Sequence, residues 1–233
     1  MDVALRLEAP LLVYEFISNG TLYKHLHVRA PTSISWKNRL RIAVEIARAL
    51  TYLHSLVSTP IVHRDIKSLN ILLDDNLTVK LSDFGASRYI PIDQEGIHTN
   101  VQGMSGYLHP MYHSMALLTE KSDVYSFGVI LIELLTRENP NCYRSHQGFA
   151  LVNHFCSLLS QGNLVEILDL QVTKEGGGEV VDVALLAATC VKFRAEERPM
   201  MRHVEMTLES IQASKEFSSD VTDDDISSED NIL

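Results

Sequence analysis

Residues 61–73 read IVHRDIKSLNILL, and a DFG triplet follows at Asp83, Phe84 and Gly85. The first stretch places Asp65 two residues before Lys67 and five before Asn70, and the second adds another aspartate. The pairing of the two stretches looks like machinery for handling a nucleotide's phosphates. It also raises the question of where the rest of that site is.

Working outward, the chain has 233 residues, 45% of them apolar, enough for one large core or two small ones. The formal net charge is −10, but residues 214–233 carry seven acidic side chains against one lysine, so most of the imbalance sits at that end. The body is only mildly acidic, and no basic stripe suggests nucleic acid. No apolar run approaches the roughly 18 to 20 residues that cross a bilayer, and VILIELL is cut by Glu133. MDVALRLEAP has neither the basic nor the apolar region of a signal peptide, so a cytoplasmic chain is expected. Cys142, Cys156 and Cys190 are an odd number, widely spaced in apolar helical contexts, and read as reduced core thiols.

Upstream, APLLVYEF is rich in β formers and ends at SNGT, so it reads as a strand leaving through a turn. From Trp36 to His54 the period changes: Leu40, Ala43, Ala47, Leu50 and His54 recur at three and four, with Ser35 as N-cap, which predicts a long amphipathic helix. IVHR, ILLD and VKLSDF are short strand-like pieces in a loop-rich stretch. Downstream, DVYSFGVILIELLT is apolar nearly all round and predicts a central buried helix. LVNHFCSLLS, VVDVALLAATCVKF and MRHVEMTLESIQ predict amphipathic helices, with Pro199 and the acidic turn before it separating the last two. Residues 214–233 lose the periodicity and gain Ser and Asp, so a solvated, disordered acidic tail is expected there.

HRDIKSLN matches the catalytic-loop pattern of protein kinases, and DFG follows as that family requires. Either triplet alone would be weak; both in order, followed by DVYSFGV and ERP, carry the resemblance. LVYEFISNGTLYKHLH, SWKNRLRIAVEIARALTYLH, SDFGASR, KSDVYSFGVILIELLT and EERPMM resemble the receptor-like kinases of plants, the wall-associated type above all, over roughly residues 11–212. The resemblance implies an α+β, mainly α fold: the large lobe of a kinase over residues 18–213, a remnant of the small lobe and hinge over 1–17, and the tail over 214–233.

It also implies an ATP-dependent serine/threonine kinase using Mg2+, acting on a protein substrate or partner kinase, with full-length relatives at the plasma membrane and the kinase on the cytosolic side. Phosphoryl transfer depends on positioning and charge neutralisation more than on covalent help. By this resemblance Asp65 is the base that orients the hydroxyl, Lys67 faces the transferred phosphate, and Asn70 and Asp83 hold metal. Lys67, two after the aspartate, resembles serine/threonine and not tyrosine kinases. Arg64 pairs with a phosphorylated activation segment in which Thr99 is the phosphosite. Tyr14 stands at the gatekeeper position, Glu15, Phe16 and Ile17 at the hinge that binds adenine, and Leu72 beneath the ring. His63, Phe84, Asp123 and Arg198 are structural. Taken singly, Asp and Asn also favour turns, and loop capping is the bland alternative for Asp65, Asn70 and Asp83.

Two departures stand out. Nothing upstream of Leu11 supplies a glycine-rich loop, a strand lysine or its glutamate partner, so the rest of the nucleotide site is expected to lie outside these residues. Within GMSGYLHPMY, where the family has G-T-x-G-Y-L-D-P-E-Y, Met104 replaces a threonine that contacts the catalytic aspartate and lysine, His109 replaces an aspartate, and Met111 replaces the glutamate partner of Arg198. His109 and His113 are four apart, but Pro110 argues against a helix joining them and no third ligand is near, so they read as loop residues. Three readings remain open: an incomplete copy of an active receptor-like kinase, a pseudokinase that serves as an interaction scaffold, and a truncated product without function.

Overall fold

The computed structural model describes residues 13–28, 33–56, 59–91, 94, 96–99, 103–109 and 117–226. Helix α3, Glu120–Thr136, is the axis of the molecule: every residue from Asp123 to Thr136 is buried. That follows from a sequence apolar on all sides, which finds no favourable solvent face. It packs closely against α6, Glu179–Cys190, where a Cβ on Gly128 would come within 2.7 Å of the Cys190 Cβ and 2.8 Å of Val191. Helix α2, Trp36–Thr51, lies against α3 and against α7, Met201–Ile226. Ser35 caps α2 as its spacing predicts, its Oγ accepting from Asn38 N at 3.4 Å. Helix α1, Leu22–His27, is capped in the same way by Thr21, and α4, Leu151–Ser160, and α5, Leu170–Glu175, complete the helical body.

The short strands form three two-stranded antiparallel ladders. Ile61–Val62 (β1) pairs with Arg88–Tyr89 (β4), Ile71–Leu73 (β2) with Val79–Leu81 (β3), and Ile97–His98 (β5) with Leu117–Leu118 (β6). The β2–β3 turn is held by Asp74, whose Oδ1 accepts from Asn76 N at 2.9 Å and Thr78 N at 2.8 Å. The first two ladders pair both ends of 61–73 with both ends of 79–89, so HRD follows β1 while DFG lies between β3 and β4, the strand that pairs with β1. A small apolar cluster of Val62, Ile90 and Leu118 lies apart from the main core.

Three expectations change. The APLLVYEF run is described only from Val13, and from there to Ile17 no strand pairs with it; Val13 and Phe16 are 90% and 88% exposed. A strand needs a ladder for its backbone groups, and none of the described residues supplies one. Cys142 is exposed in the turn after Pro140 and only Cys190 is buried, because apolar flanks at residues 142–143 mark a turn that packs through Tyr143 and not through the thiol. The helical backbone of α7 runs on to Ile226, past residue 213 where the periodicity ends. Once nucleated, a helix extends one hydrogen bond per residue, and a Gln212–Glu216 side-chain bond of 3.2 Å spans the boundary.

Arg39 is fully buried, and its guanidinium donates to Ile34 O, Leu134 O, Ser33 Oγ and the Asp169 carboxylate, joining α2 to the ends of α3 and α5. Asp169→Leu should therefore lower stability by about 3 kcal/mol, since it strands a buried cation. Urea denaturation with an unchanged midpoint would contradict this.

Candidate active site

The catalytic loop is set by one buried carboxylate. Asp123, in the first turn of α3, accepts from His63 N at 2.8 Å and Arg64 N at 2.9 Å, and its Oδ2 lies 2.9 Å from His54 Nε2. His54 reaches it because α2 continues as a π-helical turn, Tyr52–Leu56. Arg64 has φ +73°, a conformation that a side-chain-bearing residue adopts only when its surroundings hold it there. His63 is buried, packs tilted against Phe84 with 4.8 Å between ring centres, and its Nε2 lies 3.0 Å from Ser82 O, so the HRD and DFG triplets are in direct contact.

On this frame the sequence-predicted residues converge. Lys67 Nζ and Asn70 Nδ2 both donate to Asp65 Oδ2, at 2.5 and 3.0 Å, and Asn70 also bonds Asp65 O at 2.8 Å. Asp65 Oδ1 accepts no hydrogen bond among the described residues. Asn70 O in turn accepts from Ser82 N and Oγ, which ties the residue before Asp83 to the loop. Asp83 sits in the left-handed region at φ +63°, with an exposed carboxylate that pairs with no cation among the described residues. Oxygen donors from a carboxylate and an amide suit a hard cation, so Asp83 and Asn70 fit Mg2+. Beside them a cleft of about 850 Å3 is lined by Tyr14, Glu15, Ile17, Leu72 and Asp83–Gly85. Arg64 donates to Ala86 O at 3.2 Å and to Thr99 Oγ1 at 3.3 Å.

The departures are as informative. Met104 does not bond Asp65 or Lys67, which pair with each other; its Sδ instead accepts from Asn141 Nδ2 at 3.0 Å, while Asn141 Oδ1 accepts from Gly106 N. Arg198 is buried and spends its guanidinium on the carbonyls of Lys192, Lys121 and Phe193, with the Tyr125 ring 5.0 Å away. No carboxylate among the described residues lies within ion-pair distance, and burial brings its pKa down to about 10. Met111 and His113 lie outside the described residues. His109 is buried against the same Tyr125 ring, and burial, helped by the Arg198 charge, lowers its pKa to about 4. The residue replacing an aspartate is thus a neutral imidazole beside a cation that lacks a described counter-ion.

A second buried carboxylate escaped the sequence reading, where Glu133 figured only as a break in an apolar run. It is fully buried on α3; its Oε1 lies 2.7 Å from His27 Nε2 and accepts from Ser68 Oγ at 2.9 Å, and its Oε2 accepts from Tyr107 OH at 2.7 Å. Burial pushes its pKa up and the His27 bond opposes this. Glu133 therefore joins α1, the catalytic loop and the 103–109 loop. A charge inside an otherwise apolar helix was the available signal, since such a residue must be partnered when buried.

Helical body, HRD loop on an α3 aspartate, and DFG beside it define the large lobe of a protein kinase. The comparisons with known proteins agree. The family described as "Protein tyrosine and serine/threonine kinase" matches residues 1–208, and the chain belongs to it. Wall-associated receptor kinase 3 of Arabidopsis thaliana is 51% identical over 218 residues, 92% of this chain and 29% of that relative. Wall-associated receptor kinase 5 of the same plant is 52% identical over 214 residues, 91% and 29% of the two chains. Wall-associated receptor kinase-like 1 is 45% identical over 219 residues, 93% and 30%. The chain thus spans under a third of the length of these relatives.

His109 gives this site a pH dependence with a definite sign. Between an unfolded pKa near 6.5 and a folded value of about 4, the unfolded chain takes up a proton that the folded chain refuses. Stability should fall as pH drops through that window, by at most about 1.4 kcal/mol per pH unit, and show no His109 contribution above it. His109→Gln should flatten this limb in urea melts at pH 7 and 5. An identical pH slope in both proteins would contradict the assignment.

Proposed function

We propose that these residues form the catalytic-loop half of an ATP-dependent serine/threonine kinase of the wall-associated receptor type, working on a protein hydroxyl at the cytosolic side of a membrane. The observation that carries this reading is the convergence of Lys67 and Asn70 on Asp65 Oδ2, which leaves Oδ1 to accept the proton of an incoming hydroxyl. Lys67, already turned to the reacting carboxylate, supplies a cation where the transferred phosphate would pass. Asp83 and Asn70 would hold Mg2+, which would supply positive charge against the phosphates. Glu15 and Ile17 offer backbone groups to the adenine edge, and Leu72 offers an apolar floor in the same cleft. A phosphate on Thr99 would turn its 3.3 Å hydroxyl contact with the Arg64 cation into a full ion pair and stiffen the segment around it.

The glycine-rich loop and strand lysine that close over phosphates are not among these 233 residues. The chain by itself therefore offers two or three contacts to Mg·ATP, against an association cost of about 4 kcal/mol or more. The capture of Met104 by Asn141 favours a second reading, in which the lobe is an interaction scaffold whose substrate loop is tied to the helical body and not to Asp65.

Calorimetry of the isolated chain should give a Mg·ATP dissociation constant of about 1 mM or weaker. Radiolabelled ATP should yield no phosphate transfer that depends on Asp65. A micromolar dissociation constant, or transfer that disappears in Asp65→Asn, would show that these residues suffice.

A further inference from the structure

A groove that shares no lining residue with the nucleotide cleft plays no part in the kinase chemistry. It runs between α6 and α7 as two continuous hollows of about 510 and 610 Å3 that share Asp182, Ser210 and Ile211. We propose that this groove is a docking site for a basic amphipathic helix of a partner protein.

One end is apolar. Leu185, Leu186, Met206 and Ile211 line it, and Leu185 and Met206 are 51% and 58% exposed, though each sits on a helix whose other face is buried. A thioether and a leucine left open side by side form an adaptable surface of the kind that accepts apolar helix faces. The other end is acidic. Glu179 already holds Lys215, which also donates to the Glu175 carbonyl, but the Glu175 carboxylate itself accepts only from the Gln171 amide and the Trp36 backbone N–H, bonds that lead in keeping its carboxyl below the usual range. Asp182 pairs with no cation among the described residues. The turn between α5 and α6 is Gly176–Gly178, so no side chain there screens the two acids, and nothing lies within 4 Å of a Cβ built on Gly178.

The spacing selects the occupant. From Asp182 to Thr189 α6 rises about 10 Å. That length takes two apolar side chains one helical turn apart, with a cation one turn further on facing Asp182 and Glu175. Beyond Lys215, which already reaches Glu179, the chain's own acidic end is excluded by charge, since residues 216–233 carry seven acidic side chains and no lysine or arginine.

The probe is a fluorescein-labelled helical peptide of about fifteen residues, with leucines at i and i+4 and two lysines in the following turn, titrated into the full chain and read by anisotropy. Saturable binding is expected, weakening about tenfold or more in Met206→Glu and in Asp182→Lys, and falling as salt rises. Replacing the peptide's lysines with glutamates should weaken binding to the wild type and restore it to Asp182→Lys. These side chains are exposed, and circular dichroism checks that each variant is folded; Glu175→Gln substitutes if Asp182→Lys is not. Absence of saturable binding, or equal binding by wild type and both variants, would overturn the proposal. So would a concentration-dependent dimer in sedimentation that Leu185→Glu abolishes, since a second copy would then fill the groove.

Discussion

Asp123 sits where the buried helix α3 meets the HRD loop; its two oxygens receive the backbone N–H groups of His63 and Arg64, and one of them, Oδ2, lies within bonding distance of the His54 ring. An apolar residue here would leave two buried N–H groups unpaired, each costing about 1 to 3 kcal/mol. What those bonds hold is a left-handed backbone at Arg64, which relaxes to an ordinary conformation unless something opposes it. Turning that residue turns Asp65 with it, and Lys67 and Asn70 find their partner in Asp65. The site is thus an outcome of packing: α3 is buried on all sides, so its aspartate is fixed, and the loop is fixed to the aspartate.

Glu133 repeats the device ten residues along the same helix, roughly 15 Å away. Where Asp123 holds backbone, Glu133 gathers side chains, one each from α1, the catalytic loop and the 103–109 loop. Ser68 lies between Lys67 and Asn70, so the two carboxylates grip the catalytic loop from both ends. The 103–109 loop is gripped twice as well, through Tyr107 by Glu133 and through Met104 and Gly106 by Asn141. With Met104 the loop is therefore attached through Asn141 and not through Asp65.

Much of this was legible in the residues. The helical period from Trp36, its Ser35 cap and the all-apolar run after Asp123 specify α2 and α3, because burial and period are local properties of sequence. That Asp65, Lys67 and Asn70 would meet was legible through the family pattern that HRDIKSLN resembles, and their side chains do come together. What escaped was long-range. Glu133 meets His27 across 106 residues and Trp36 meets Glu179 across 143, and no local pattern announces such pairs. The described part of the run APLLVYEF, from Val13, pairs with no described strand for the same reason: β propensity is realised only when a second strand lies alongside. His109 had no account from its neighbours in sequence, and only the fold places it beside Tyr125 and Arg198.

The central claim is that Asp123 imposes the geometry of the site through backbone hydrogen bonds. Native-state hydrogen exchange of His63 and Arg64 in the wild type and in Asp123→Ala tests it most directly. If the claim holds, both amides are protected to the level of the α3 core in the wild type and exchange at least about a hundredfold faster in the variant, while amides of α2 and α6 keep most of their protection. Equal protection of His63 and Arg64 in the two proteins would contradict it, because the loop would then hold its shape without the carboxylate.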